Sequence, residues 1–332
     1  REGERPVAGA DVSLPRNRLH ARASCAGQLG GAVGRAGVGD DDLLGPPHRV
    51  ERGAETIRLV LHHEDDGDGR THPSIILDAV RLLLRATNWV GDVVISLPAL
   101  RALRAHHAGD HLAVLARPWV AELYRLLPEV DEVLVEEPKG RHAGRDGRAL
   151  LAGELREKAF DRAILLPRSF ATALVAWQAG IPERWGYRGE LRAPLLTHPV
   201  EFEPRVGEHE LFRHLRLVAA TGAPLPAVPD ATFAVPGAVR AAARAKLAEA
   251  GLAGGPFVAA LVASFAHEAK RWGAERFAEL FRRLAAERGL PVVLLGSADE
   301  AGRNARVASL AAPARVVDLA GRTSLPDVLG VV

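Results

Sequence analysis

The stretch LLLRATNWVGDVVISLPALRALRAHH, Leu82 to His107, decides how the chain is read. It begins as a short, continuous apolar run suited to a strand buried on both faces. It then passes through Gly91-Asp92 into apolar residues at helical spacing. A strand feeding a helix through a short polar joint is the first half of a βαβ unit. The joint carries a carboxylate, and that residue has two readings. In a parallel α/β sheet, ligands bind beyond the carboxyl ends of the strands, where helix N-termini point. Asp92 there would be ionised and available for chemistry, with Gly91 allowing close approach. Alternatively it is a plain N-cap or first-turn acid, a common use of Asp.

The same alternation continues outward. Apolar runs suited to strands occur at 80–86, 112–116, 132–136 and 161–166, each followed by a helical pattern at 93–106, 118–127, 147–158 and 169–179. Such an order predicts a parallel sheet with right-handed crossovers. A further helix, EHELFRHLRLVAATG, is closed by Gly222. APLPAVPDATFAVPG, with four prolines, then reads as a linker at 223–236. Beyond it the alternation restarts: helix 237–250, strand 257–262, helix 274–288, strand 291–295, helix 299–310, strand 315–319 and a new helix from Ser324. The fold class is therefore α/β, with two doubly wound, Rossmann-like units in tandem. The first spans 79–222 and the second 237–332, and the second is expected to be incomplete.

Residues 1–78 differ. GQLGGAVGRAGVGDDDLLGPPHRVERG and HHEDDGDGRTHP are rich in Gly, Asp and Arg. They read as a disordered or non-native leader that buries little apolar surface. Nothing at the start resembles a signal peptide, and Met is absent even from position 1, which points to a fragment or an internal start.

The chain has 332 residues, 48% hydrophobic and 25% charged, the balance of a globular protein. No apolar run reaches the roughly 18 residues that span a bilayer. The single cysteine, Cys25, cannot form an internal disulfide, and a reducing compartment is expected. The net charge of +2 accompanies a pI near 9.0, compatible with acidic substrates. Aromatics make up only 5% and no basic stripe is present, so nucleic-acid binding is not expected.

Three further stretches carry candidate chemistry. In ASFAHEAKRWGAERFAELFRRL, Ser264, Lys270 and Arg271 stand in a polar loop between a strand end and a helix, a setting for a diphosphate; a solvated basic loop with Trp272 packed on the core is the alternative. In VVLLGSADEAGRNARV, Asp299 and Glu300 open a helix where an acid could grip a ribose, or else cap that helix together with Ser297. In LLPRSFATALVAWQAGIPERWGYRGELRAPLL, Arg168 and Ser169 follow a strand. Arg184, Arg188 and Arg192 could receive an anionic acceptor or lie solvated at the surface. EDDGDG resembles the start of a calcium loop, but its twelfth position is Ile75 rather than an acid. His107 and His111 lack a third ligand, and no metal site is expected. Neither G-x-S-x-G, a P-loop nor a strand-anchored G-x-G-x-x-G occurs, which argues against a nucleotide-dependent oxidoreductase.

Five stretches in register, ATNWVGDVVISLPALRALR, AVLARPWVAELYRLLPEVDEV, the Leu165–Leu196 segment, AKRWGAERFAEL and DLAGRTSLPDV, resemble the ADP-heptose:lipopolysaccharide heptosyltransferases, glycosyltransferase family 9, over about 80–332. The resemblance is strongest to heptosyltransferase II. It implies a GT-B fold, with the acceptor site on the first domain and the nucleotide-sugar site on the second. It also implies inverting, metal-independent transfer of L-glycero-D-manno-heptose from ADP-heptose to the inner core of lipopolysaccharide, heptosyl-Kdo-lipid A, with no cofactor. Asp92 maps to the proposed base, Ser264 and Lys270 to contacts with the diphosphate, and Asp299 or Glu300 loosely to the ribose; Arg168, Ser169 and Arg188 are the acceptor-side candidates. A monomer in the cytoplasm, peripheral at the inner face of the inner membrane, is the expected setting. Three departures accompany the match. Leu261-Val262 stand where the family has Pro-Gly, with the loop to Lys270 longer by a residue. Gly273 replaces a Pro after Trp272, and the donor motif Asp-(Ser/Thr)-Gly-x-x-His is expected just beyond residue 332. A remnant that keeps only acceptor or sugar-lipid binding is the alternative function.

Overall fold

The computed structural model describes residues 79–189, 191–203, 207–252, 254–262 and 271–332, together with the backbone of strands at 49–52, 55–65 and 71–77. Those strands, β1 (Arg49–Arg52), β2 (Glu55–Asp65) and β3 (Thr71–Leu77), form an antiparallel sheet in which Leu59 pairs with Leu77 and Asp65 with Thr71. The segment expected to be a disordered or non-native leader thus includes paired strands between 49 and 77. In ETIRLVLHHED, Ile57, Leu59 and Leu61 fall at every second position, the period of a strand, and the compositional reading overlooked it. The rest of that expectation lies outside the described residues.

The first doubly wound unit runs β4 (Arg81–Arg85), α1 (Val90–His106), β5 (His111–Ala116), α2 (Pro118–Arg125), β6 (Glu132–Val135), α3 (Gly144–Glu157), β7 (Arg162–Leu165), α4 (Phe170–Gln178), β8 (Glu183–Tyr187), β9 (His198–Val200) and α5 (Glu210–Ala219). Its strands are all parallel, in the order β6-β5-β4-β7-β8-β9. The chain winds outward from β4 to β6, then returns to lay β7 on the other side of β4. The reversal makes a crevice at the carboxyl ends of β4 and β7, the switch point where doubly wound sheets bind ligands.

Why the triplet Leu82-Leu83-Leu84 is continuous rather than alternating is now plain. Leu82 and Leu84 face a core built with α1, α2 and α5, whereas Leu83 faces a second core with α3 and α4. Each fully buried leucine contributes on the order of 1.5–3 kcal/mol. Register at the amino ends is set by aspartates that precede β5, β6 and β7. Asp110 accepts the N–H of Val80 at 2.8 Å, Asp131 that of Leu112 at 2.7 Å, and Asp161 that of Arg81 at 3.0 Å. Each incoming strand is thereby pinned to its neighbour through a charge-assisted bond. His107 and His111 belong to this same end. His107 lies 2.7 Å from Asp110 and His111 3.2 Å from Glu132, so both are spent on structure.

β8 and β9 lie where sequence reasoning placed only an Arg- and aromatic-rich loop. ERWGY and HPV contain no apolar run, because the pair forms the sheet margin and Trp185 is satisfied by stacking on His198 at 3.9 Å. Residues 223–236 contain no helix or strand. Arg101 of α1 clasps them, donating to the Asp230 carbonyl at 2.8 Å and the Thr232 carbonyl at 2.7 Å.

The second unit runs α6 (Gly237–Glu249), β10 (Val258–Ala260), α7 (Ala274–Arg288), β11 (Val292–Leu294), α8 (Ala301–Leu310), β12 (Val316–Asp318) and α9 (Leu325–Val331). Its strands are parallel in the order β10-β11-β12. Gly289 ends α7 at φ +64°, a left-handed C-cap that a glycine adopts without strain. Gly330 lets α9 approach α6, for a Cβ there would lie 2.7 Å from that of Ala243. Among the described residues no helix is long and apolar enough to cross a membrane.

Candidate active site

The carboxyl ends of β4 and β7 carry the loops 86–89 and 166–169 into α1 and α4. The first of these decides the status of Asp92. Helix α1 begins at Val90 with Trp89 as its N-cap, and Trp89 provides no side-chain cap. Asp92 is therefore the third residue of the helix, a position from which an acid commonly folds back onto the N-cap backbone. Among the described residues, two other helical segments use that position so. Glu300 closes a capping box with Ser297, and Asp327 closes one with Ser324. Asp92 does not: its carboxylate accepts no hydrogen bond from any described residue. Asp92 is thus a first-turn acid that closes no capping box, and its half-buried carboxylate stands at the switch point.

Its surroundings tune it. Burial pushes the Asp92 carboxyl above the usual carboxylate range, Arg213 of α5 pulls it back, and Glu210 pushes it further up. Arg213 and Glu210 are themselves paired at 2.5 Å. Phe202 supports this group: the Arg168 guanidinium lies 3.8 Å over its ring and that of Arg213 lies 6.0 Å away on the same ring. Tyr187, edge-on to Phe202 at 5.5 Å, donates its hydroxyl to the Arg213 carbonyl at 2.6 Å. Asp92, Glu210, Arg213, Phe202 and Arg168 thus form a continuous patch with two acids and two guanidiniums. Behind it, the fully buried Tyr124 phenol is pushed up to about 12 by burial and stays neutral.

The other candidates separate into engaged and available groups. Arg168 belongs to the patch, and its Nε has no hydrogen-bond partner among the described residues. Ser169 is the N-cap of α4, accepting the Thr172 N–H at 3.4 Å, which accounts for it structurally. Arg188 stands exposed at the end of β8, paired with Glu201 at 2.9 Å. Arg184 and Arg192, read as possible anion receivers, are structural instead. Arg184 donates to the Leu195 carbonyl at 2.7 Å and to that of Ile181. Arg192 is 0% exposed and donates to the Pro167 carbonyl at 2.6 Å from beneath Gly186, where a Cβ would collide with it.

On the second unit, Glu300 is consumed by its capping box, donated to by Ser297 N–H at 2.8 Å, so the capping alternative describes it. Asp299 is exposed beside it. Ser264 and Lys270 lie outside the described residues. At the end of β12, Asp318 accepts from Asn304 at 3.0 Å and from Ala320 N–H at 2.9 Å, fixing the turn beside Gly296. Arg213, Glu210 and Phe202 were missed from sequence. The Glu-x-x-Arg spacing at the start of EHELFRHLR was their one local signal.

The sequence model of glycosyltransferase family 9, the heptosyltransferases, matches residues 148–332. The chain belongs to this family. Lipopolysaccharide heptosyltransferase 2 of Escherichia coli is 41% identical over 119 residues, covering 36% of this chain and 34% of that protein. The match thus spans about a third of the length of such curated relatives. The solved ADP-heptose lipopolysaccharide heptosyltransferase II of E. coli is similar over 76% of both chains, at 28% identity and a TM-score of 0.62. A family 9 glycosyltransferase from Veillonella parvula matches in fold with a TM-score of 0.67, over 77% of this chain and 74% of its own, at 21% identity. The two Rossmann-like units are those of the GT-B fold.

One consequence of the α5 packing is testable apart from catalysis. His214, next to Arg213, is buried, and burial lowers its pKa to about 4, with Arg213 adding to the effect. Below about pH 6.5 the unfolded chain therefore binds a proton that the folded chain refuses, so stability falls as pH drops from about 6.5 towards 4. The full shift corresponds to roughly 3 kcal/mol. Urea denaturation at pH 7 and pH 4.5 is expected to show a smaller acid loss for His214→Phe than for the parent. An equal loss would contradict this.

Proposed function

We propose that the protein is an inverting glycosyltransferase that moves heptose from ADP-heptose to a lipopolysaccharide inner-core acceptor, with Asp92 as the base. The uncapped carboxylate at the switch point carries this reading. In the reaction, Asp92 takes the proton of an acceptor hydroxyl while that oxygen attacks the anomeric carbon. The bond from the anomeric carbon to the ADP oxygen breaks on the opposite face, and ADP leaves with the electron pair. A carboxylate held above its ordinary pKa is a better proton acceptor for this step than an unperturbed one. The anionic acceptor is met by Arg168, in the patch with Asp92, and by Arg188 at the end of β8. Ser264 and Lys270 hold the diphosphate, where charge builds as ADP departs, and Asp299 serves the ribose. The residues that do this carry the proton and the charge themselves, so no cofactor is required.

The similarity to the ADP-heptose lipopolysaccharide heptosyltransferase II of E. coli supports the donor and acceptor classes. A location at the inner membrane surface follows from an acceptor anchored in lipid. The test is ADP release in the presence of ADP-heptose and heptosyl-Kdo-lipid A, with each omitted in turn. Release that needs both substrates is expected, and UDP-sugars should not replace ADP-heptose. Acceptor binding without ADP release would instead indicate a non-catalytic sugar-lipid binding protein.

A further inference from the structure

α1 has no side-chain cap, and the turn that aims Asp92 is held by side chains of the neighbouring strand ends instead. We propose that Glu136 is the positioning residue for that turn, acting through Arg85, Arg117 and Asn88. The proposal rests on the reading of Asp92 as the base.

Glu136 follows β6 and is largely buried, its side chain 13% exposed. Each carboxylate oxygen faces one guanidinium: Oε2 lies 2.7 Å from Arg85 Nη2, and Oε1 lies 2.9 Å from Arg117 Nη1. Arg85 ends β4 and Arg117 is the N-cap of α2, so three neighbouring strand ends meet at this carboxylate. Both guanidiniums then converge on one atom. Asn88 Oδ1 accepts from Arg85 Nη2 at 3.2 Å and from Arg117 Nε at 3.2 Å. The main chain of the same residue is held as well, its carbonyl accepting the Trp119 indole N–H at 2.6 Å. Asn88 immediately precedes the Trp89 N-cap and stands four residues before Asp92.

Burying this cluster is costly, and burial lowers the Arg85 pKa against the opposing pull of Glu136. A buried ion pair of this kind is weak evidence of stabilisation but can fix a geometry. The comparable pair of Arg162 on Glu183 at 2.7 Å stands at the amino ends of the sheet, opposite the candidate site. The carboxyl-end set grips the turn that leads into α1, at Asn88 and beside the Trp89 N-cap.

The experiment compares Glu136→Gln, Asn88→Ala, Asp92→Asn and the Glu136→Gln/Asp92→Asn pair in the intact protein. Glu136→Gln is expected to lower kcat by about 10–100-fold, the order of effect of misplacing a reacting group by an ångström, with KM for ADP-heptose little changed. If Glu136 acts through Asp92, the double variant is no slower than Asp92→Asn alone. A merely structural role predicts losses that multiply, and that result would overturn the proposal, as would a parental kcat in Glu136→Gln. Hydrogen exchange supplies a readout independent of turnover. Amides of 87–93 are expected to exchange faster in both Glu136→Gln and Asn88→Ala, with those of α5 and the second unit unchanged; unaltered exchange at 87–93 overturns the relay. Should Glu136→Gln fail to fold, Asn88→Ala decides by the same exchange and rate criteria. Near-parental turnover in Asp92→Asn sinks the base assignment, while exchange at 87–93 still decides the relay.

Discussion

Asp92→Asn is expected to reduce the transfer rate by about 10²–10⁴-fold, the usual contribution of a positioned general base. Asparagine keeps the shape at the third position of α1 but cannot accept the proton. ADP affinity is expected to stay close to the parental value, because the proposed diphosphate contacts, Ser264 and Lys270, belong to the second unit. Stability should not suffer at neutral pH. The folded pKa of Asp92 is raised, so its favourable contribution is present below the unfolded pKa and is lost as pH rises through the folded value. For the same reason the acid limb of the parental kcat/KM profile should lie above the ordinary carboxylate range. That limb should vanish in the variant. Near-normal turnover in Asp92→Asn would contradict the assignment.

Arg192→Ala is expected to be the most destabilising single change among the arginines of 168–192. The guanidinium sits fully buried under Gly186 and ties the Pro167 carbonyl, two residues from Ser169, to the β8–β9 connection. Removing it vacates a large side-chain volume and leaves a buried carbonyl without its charged donor. Such losses typically reach about 3 kcal/mol or more. Denaturant midpoints read the effect directly. The variant should also bind acceptor more weakly, since Arg168 hangs on the same segment. An unchanged midpoint would mean that the guanidinium is not seated where the structure places it.

The fold was legible because its signals are periodic and local. The run at 82–84, the helix at 274–288 and the proline-rich connection at 223–236 announce themselves in composition and spacing. The strands ERWGY and HPV did not, because margin strands carry polar residues and a proline without penalty. The antiparallel strands at 49–77 were hidden by the glycine- and aspartate-rich stretches around them. The site was legible as a position but not as a state. Sequence spacing puts Asp92, Glu300 and Asp327 alike near helix starts, yet only the structure tells which acids are tied into caps. Ser169 carried the same ambiguity and resolves as a cap. Arg213 and Phe202 come from beyond β9, so no spacing rule could join them to Asp92. The Glu136–Asn88 relay likewise depends on β4, β5 and β6 lying side by side, a topology that single-strand patterns leave open.

The account turns on heptose passing from ADP-heptose to a core acceptor with inversion. Mass spectrometry and anomeric NMR of the acceptor after incubation with ADP-heptose and the protein test this most directly. The account predicts an acceptor heavier by one heptose, joined with the anomeric configuration opposite to that of the donor. An acceptor of unchanged mass, or a product with retained configuration, would contradict it.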